Sequence, residues 1–101
     1  MLKHVVCFKL KDNSPKACEK ARDVLLSMKG RVPLLRDISV GIDLLHSDRS
    51  YDVVLEVLLD DLAALEAYQN DPYHCCVVKA YMHEVREASI AIDYLFGGAA
   101  G

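Results

Sequence analysis

Leu2-Lys3-His4-Val5-Val6-Cys7-Phe8-Lys9-Leu10 alternates with a period of two, the signature of a β-strand. Leu2, His4, Val6, Phe8 and Leu10 share one face, while Lys3, Val5, Cys7 and Lys9 share the other. The first face is apolar enough to demand a covering layer of helices. The second still carries Val5 and Cys7, and is too greasy to be left against water. A strand of this kind belongs inside a sheet with helices on one side and a second apolar surface on the other.

Outward from this strand the pattern changes period several times. Ser14 and Pro15 form an N-cap and first-turn pair, and Cys18, Ala21, Leu25 and Met28 make a helical stripe stopped by Gly30. Period two returns from Leu35 to Leu45, with Ile38, Val40, Ile42 and Leu44 on one face. A polar hairpin from His46 to Ser50 leads into a valine- and leucine-rich strand from Tyr51 to Leu59. Asp60 and Asp61 open a short helix through Tyr68, their charges suiting its N-terminal dipole. Asp71 and Pro72 then start a second helix running to about Glu87. In it His74, Val78, Tyr81 and Val85 recur at spacings of three and four, with Val77 and Met82 flanking. Ser89 to Phe96 closes as a strand.

The order is β-α-β-β-α-β, an α+β ferredoxin-like protomer with a four-stranded antiparallel sheet and helices on one face. It accounts for residues 1–96 as a single domain, followed by a flexible Gly/Ala tail over 97–101. The simplest cover for the face bearing Val5 and Cys7 is a second copy of the same sheet, so a homodimer through the sheet faces is expected.

Composition narrows the function classes. A chain of 101 residues builds one core, and with 52% hydrophobic and 27% charged residues it has the balance of a soluble globular domain. A formal charge of −3 and the absence of any Lys/Arg run argue against nucleic acid as a partner. No apolar run approaches the roughly 20 residues of a membrane span. Lys3, His4, Lys9 and Lys11 interrupt the segment that would otherwise resemble a secretion signal, so a cytoplasmic protein is expected. Cys7, Cys18, Cys75 and Cys76 contain no C-x-x-C pair and read as reduced, small apolar residues. A metal site is not expected: adjacent helical positions point about 100° apart, so His74, Cys75 and Cys76 do not converge on one ion.

The junction Tyr68-Gln69-Asn70-Asp71-Pro72-Tyr73-His74 brings a phenol and an imidazole to one region. Helical spacing turns His74 inward. There it fits two roles, a core histidine with one satisfied hydrogen bond or half of a proton-transfer pair with Tyr68. His4 lies on the helix-facing side of the first strand, where it either orients a ligand or fills the core. His46 sits in a polar loop and is read as solvated.

The opening Leu2-Lys3-His4-Val5-Val6-Cys7-Phe8-Lys9, the strand Tyr51-Asp52-Val53-Val54-Leu55-Glu56-Val57, the Leu65-Glu66-Ala67-Tyr68-Gln69 helix with Pro72 and His74, and the closing Asp93-Tyr94 resemble the stress-responsive A/B barrel (Dabb) family over residues 2 to 95. The resemblance implies a protomer that pairs into a dimeric α+β barrel and holds a cavity between helices and sheet. It does not imply one activity. One understood member is a plant polyketide cyclase that makes olivetolic acid, in which a histidine and a tyrosine promote an aldol cyclisation without a cofactor. Carried over by motif, that histidine falls on His74, the tyrosine on Tyr68 and a first-strand histidine on His4. A further pocket tyrosine, aligned back from Pro33, falls on Leu25, and there this sequence departs.

Two functional classes follow. The first is a cofactor-independent acid–base enzyme of cyclase, isomerase or lyase type acting on a small, partly apolar carbonyl compound. Its catalytic residues would be His74 and Tyr68, with His4, Val6, Phe8 and Leu25 lining the ligand site. The second is a non-catalytic dimeric binding module associated with stress. A cofactor-free monooxygenase is a third, since such enzymes share the architecture.

Overall fold

A computed structural model describes residues 1–97 of the protein. The alternating N-terminal stretch forms β1 (Leu2–Leu10). It is followed by α1 (Pro15–Leu26), whose cap Ser14 accepts a hydrogen bond from the Ala17 N–H at 3.3 Å. Then come β2 (Asp37–Ile42), β3 (Val53–Leu59) and α2 (Leu62–Gln69), the last capped by Asp61 through the Ala64 N–H at 2.8 Å. A π-helix (His74–Lys79) runs into α3 (Ala80–Val85), and β4 (Arg86–Leu95) completes the domain.

The sheet order is β2-β3-β1-β4, with every neighbouring pair antiparallel. This is the ferredoxin-like arrangement. β1 is internal, so Leu2 to Phe8 have a partner on both sides. His4 stands between Val57 and Asp93, and Phe8 between Val53 and Ser89.

On the helix side, Cys18, Ala21 and Leu25 of α1 and the following Met28 pack with Val53, Leu55, Val57 and Leu59 of β3, all of them buried. Each such leucine or valine contributes about 1.5–3 kcal/mol on leaving water. Asp52 is buried at the rim of this core. Its carboxylate accepts from the Leu10 N–H at 2.8 Å and the Asn13 side-chain amide at 3.4 Å, tying the end of β1 to the loop before α1. On the opposite side of the sheet, Val5 and Cys7 are flanked by Val54 of β3 and by Ile92 and Ile90 of β4. Ile90 and Ile92 are 51% and 63% exposed, so this apolar face has no cover among the described residues.

Two expectations need correction. The second strand ends at Ile42 rather than continuing to Leu45, and Leu44 and Leu45 are 94% and 78% exposed. The Asp43 carboxylate accepts from the His46 N–H at 2.6 Å and His46 takes a left-handed φ of 52°, so local turn chemistry wins over the apolar pattern. The helix from Pro72 to Glu87 is not one α-helix either. It widens to π over His74–Lys79 and stops at Val85, and the extended Arg86 begins β4. With the changed winding Val77 is 45% exposed, while Val78 and Met82 are buried. Apart from Gly97, the expected flexible tail lies outside the described residues. No helix among the described residues is long and apolar enough to cross a membrane.

Candidate functional site

Between the sheet and the helices lies a cavity of about 220 Å³. β1 contributes His4, Val6 and Phe8 to its wall, α1 contributes Leu25, α2 contributes Tyr68, and the π-helix contributes His74. All six candidate side chains expected from the sequence line this one space. Leu55, Val78 and Met82 complete its apolar part.

The meeting of Tyr68 and His74 is built by the junction between them. α2 ends one residue after Tyr68, and the Asp71 carboxylate accepts from the N–H groups of Tyr73 and His74 at 2.9 and 3.1 Å. This cap starts the next helix at Pro72 and folds the chain back on itself. The Tyr68 and His74 rings then lie 4.3 Å apart between centroids, tilted by 36°. His4 also meets Tyr68, edge to face at 5.9 Å. Two imidazoles thus contact one phenol.

Their polar atoms have different partners. The Tyr68 hydroxyl donates to the sulfur of Met28 at 3.7 Å, and not to His74. A thioether is a weak acceptor, so this donor remains available to a stronger one. The buried His74 Nδ1 has no hydrogen-bond partner. His4 Nδ1 is hydrogen-bonded to the carboxylate of Asp93, its neighbour across the sheet. An ionised carboxylate only accepts, so Nδ1 of His4 carries the proton and Nε2 is the basic nitrogen of the neutral ring.

Burial sets the protonation states. It lowers the His74 pKa below the ordinary histidine value, with Lys79 and His4 pushing the same way and the Gln69 carbonyl and Asp71 opposing. Burial also raises the Tyr68 pKa far above that of an ordinary phenol, and Asp71 adds to the effect. At neutral pH the wall therefore presents an uncharged imidazole and a protonated phenol, a proton acceptor beside a donor.

Asp93 does not itself line the cavity; it stands in the closing strand, and only the pairing register places it opposite His4. Lys79, His83 and Arg86 line the cavity at its exposed side, and none of them was a site candidate from the sequence. In α-helical winding, a residue five positions on from His74 is turned roughly 140° away. In a π-helix the backbone bond runs from residue i to i+5, which brings Lys79 round onto the His74 side.

The stress responsive A/B barrel domain family model matches residues 2–96. No curated protein matches the chain in sequence. Among solved structures, a dimeric protein of unknown function and ferredoxin-like fold from Bacteroides fragilis is 23% identical, with a TM-score of 0.78 over 94% of this chain and 95% of its own. An Arabidopsis thaliana protein is 19% identical, with a TM-score of 0.82 over 98% of both chains. The hydroxynitrile lyase of Passiflora edulis is 17% identical, with a TM-score of 0.78 over 95% of this chain and 93% of its own. At such identities the likeness is one of fold.

Proposed function

Because the chain belongs to the stress responsive A/B barrel domain family, we propose that its protomer cavity binds a small, partly apolar carbonyl compound, on which His74 acts as a cofactor-independent general base and Tyr68 as the hydrogen-bond donor. The observation that carries this reading is the placing of the His74 and Tyr68 rings, 4.3 Å apart between centroids, in the wall of one cavity between sheet and helices.

The step is a proton transfer. The neutral His74 imidazole takes a proton from carbon beside the carbonyl, and the electron pair moves onto the carbonyl oxygen. The Tyr68 O–H turns from Met28 to that oxygen and stabilises the enolate. The imidazolium returns the proton as the product forms, so no redox partner enters. His4, oriented by Asp93, offers a second basic nitrogen to the same space. Leu25, where the resembling cyclase has a tyrosine, leaves the inner wall apolar and favours a less oxygenated substrate. The Passiflora edulis hydroxynitrile lyase shows that an enzyme can be built on this fold.

The working unit in this reading is a cytoplasmic homodimer joined through the sheet faces. Its support is the uncovered row of Val5, Cys7, Ile90 and Ile92, and the dimeric state named for the Bacteroides fragilis structure. The non-catalytic binding module is favoured by one observation, the Tyr68 hydroxyl engaged by Met28.

Thermal-shift measurements with a panel of small 1,3-dicarbonyl compounds test the proposal. Ligands should raise the melting midpoint of the wild type, and those that turn over should be consumed only while His74 is present. A panel that binds equally to wild type and His74→Ala, with no turnover by either, supports the module instead.

A further inference from the structure

The exposed side of the cavity has a charge that the whole chain does not. The protein has 12 Lys and Arg against 15 Asp and Glu, yet no acidic side chain lines this space. Lys79, His83 and Arg86 do. Three of the other ten basic side chains pair with acids, Lys3 with Glu56, Arg22 with Asp23 and Arg36 with Asp60, so what sets Lys79 and Arg86 apart is their place on a cavity without acids. Among the described residues, neither Lys79 nor Arg86 is in an ion pair. The nearest acids in sequence, Glu84 and Glu87, are exposed and outside the lining.

Resting on the ligand-binding reading above, we infer that the compound bound in this cavity is an acid, its carboxylate held at the mouth by Lys79 and Arg86 and its apolar body lying against Phe8, Leu25 and Met82. Three features favour an anion over a neutral polar group. Arg86 is half-buried and partly oriented, its guanidinium reaching Ser89 Oγ at 3.4 Å and His83 Nδ1 at 3.5 Å. The guanidinium fork suits a carboxylate in two-point contact. Lys79 is close enough that its charge lowers the His74 pKa, so an anion seated beside it also reaches the base electrostatically. The substrate class becomes a carboxylic acid whose carbonyl sits deeper, toward His74 and Tyr68. The charge fixes which end enters first.

The experiment compares arylalkanoic acids, beginning with 3-phenylpropanoate, with their neutral primary amides, by calorimetry and by NMR of the histidine ring protons at pH 7 and low salt. The acids should bind about tenfold tighter than the amides, as charge-assisted hydrogen bonds exceed neutral ones. Raising salt to about 0.5 M should erode that preference, because the mouth is exposed to solvent. The double substitution Lys79→Gln with Arg86→Gln should remove the preference, in a protein whose melting midpoint and amide spectrum report an intact fold. Equal affinity for acids and amides in the wild type overturns the anion inference and leaves the cavity reading standing. If neither series perturbs His4 and His74, the cavity reading fails and takes this inference with it.

Discussion

His4 and Asp93 face each other across the β1–β4 pair, and the histidine Nδ1 is hydrogen-bonded to the aspartate carboxylate. The bond selects which nitrogen of His4 is basic and fixes the ring beside Tyr68. Replacing Asp93 by alanine should release the ring to a mixture of tautomers. Long-range nitrogen–proton NMR reads that mixture directly. The stability loss should be about 1 kcal/mol or less, because the Asp93 side chain is 36% exposed and water can take its place.

His74 should make stability depend on pH. Burial lowers its folded pKa below the ordinary 6.5, aided by Lys79 and His4 and opposed by Gln69 and Asp71. The unfolded chain therefore takes up the proton first as pH falls. The contribution is fully present above about pH 6.5 and is lost as pH falls through the folded value. Urea denaturation from pH 7.5 to 5 should show a declining midpoint, and His74→Gln should flatten that decline. An equal slope in both proteins would remove His74 as its source.

Tyr68→Phe separates chemistry from packing. The hydroxyl donates only to the Met28 sulfur, so its loss should change stability by less than about 1 kcal/mol. If the phenol stabilises an enolate, kcat on an identified substrate should fall by about 10²-fold or more. Unchanged kcat with an unchanged melting midpoint would take the hydroxyl out of the mechanism.

Val5 lies between Glu56 and Ile92 in the middle of the sheet's outer face. A charge introduced there by Val5→Asp should break the sheet-to-sheet dimer, since a buried unpaired charge costs several kcal/mol by rough estimate. Light scattering at micromolar concentration should give a dimer mass for the wild type and a monomer mass for the variant. A monomeric wild type would contradict the barrel.

Much of the architecture was legible because period two and period 3.6 are read from neighbouring residues. Leu2 to Leu10 declared its two faces, and Ser14 and Asp61 marked helix starts that the structure places at Pro15 and Leu62. Leu44 and Leu45 misled, because a strand ends where turn hydrogen bonds compete, whatever the apolar pattern says. Strand alternation put His4, Val6 and Phe8 on the cavity side and helical spacing turned His74 inward, whereas the pairing of His74 with Tyr68 and the place of Leu25 came from the family resemblance. Asp93 required the register of two strands distant in sequence. Lys79 required a helix winding that no local apolar pattern announces, and Arg86 required the helix to stop at Val85.

That wide turn also bears on how such a wall can change over generations. A π segment is what an α-helix becomes when one extra residue enters and the flanking turns hold their positions. Deleting the exposed Cys76 would let the remaining residues close bonds from i to i+4. Lys79 would then follow His74 by four residues and still come round to the same side. A gene one codon shorter at this point would thus encode the same cavity wall on an ordinary helix, so insertions and deletions here can be neutral where most substitutions at His74 would not be.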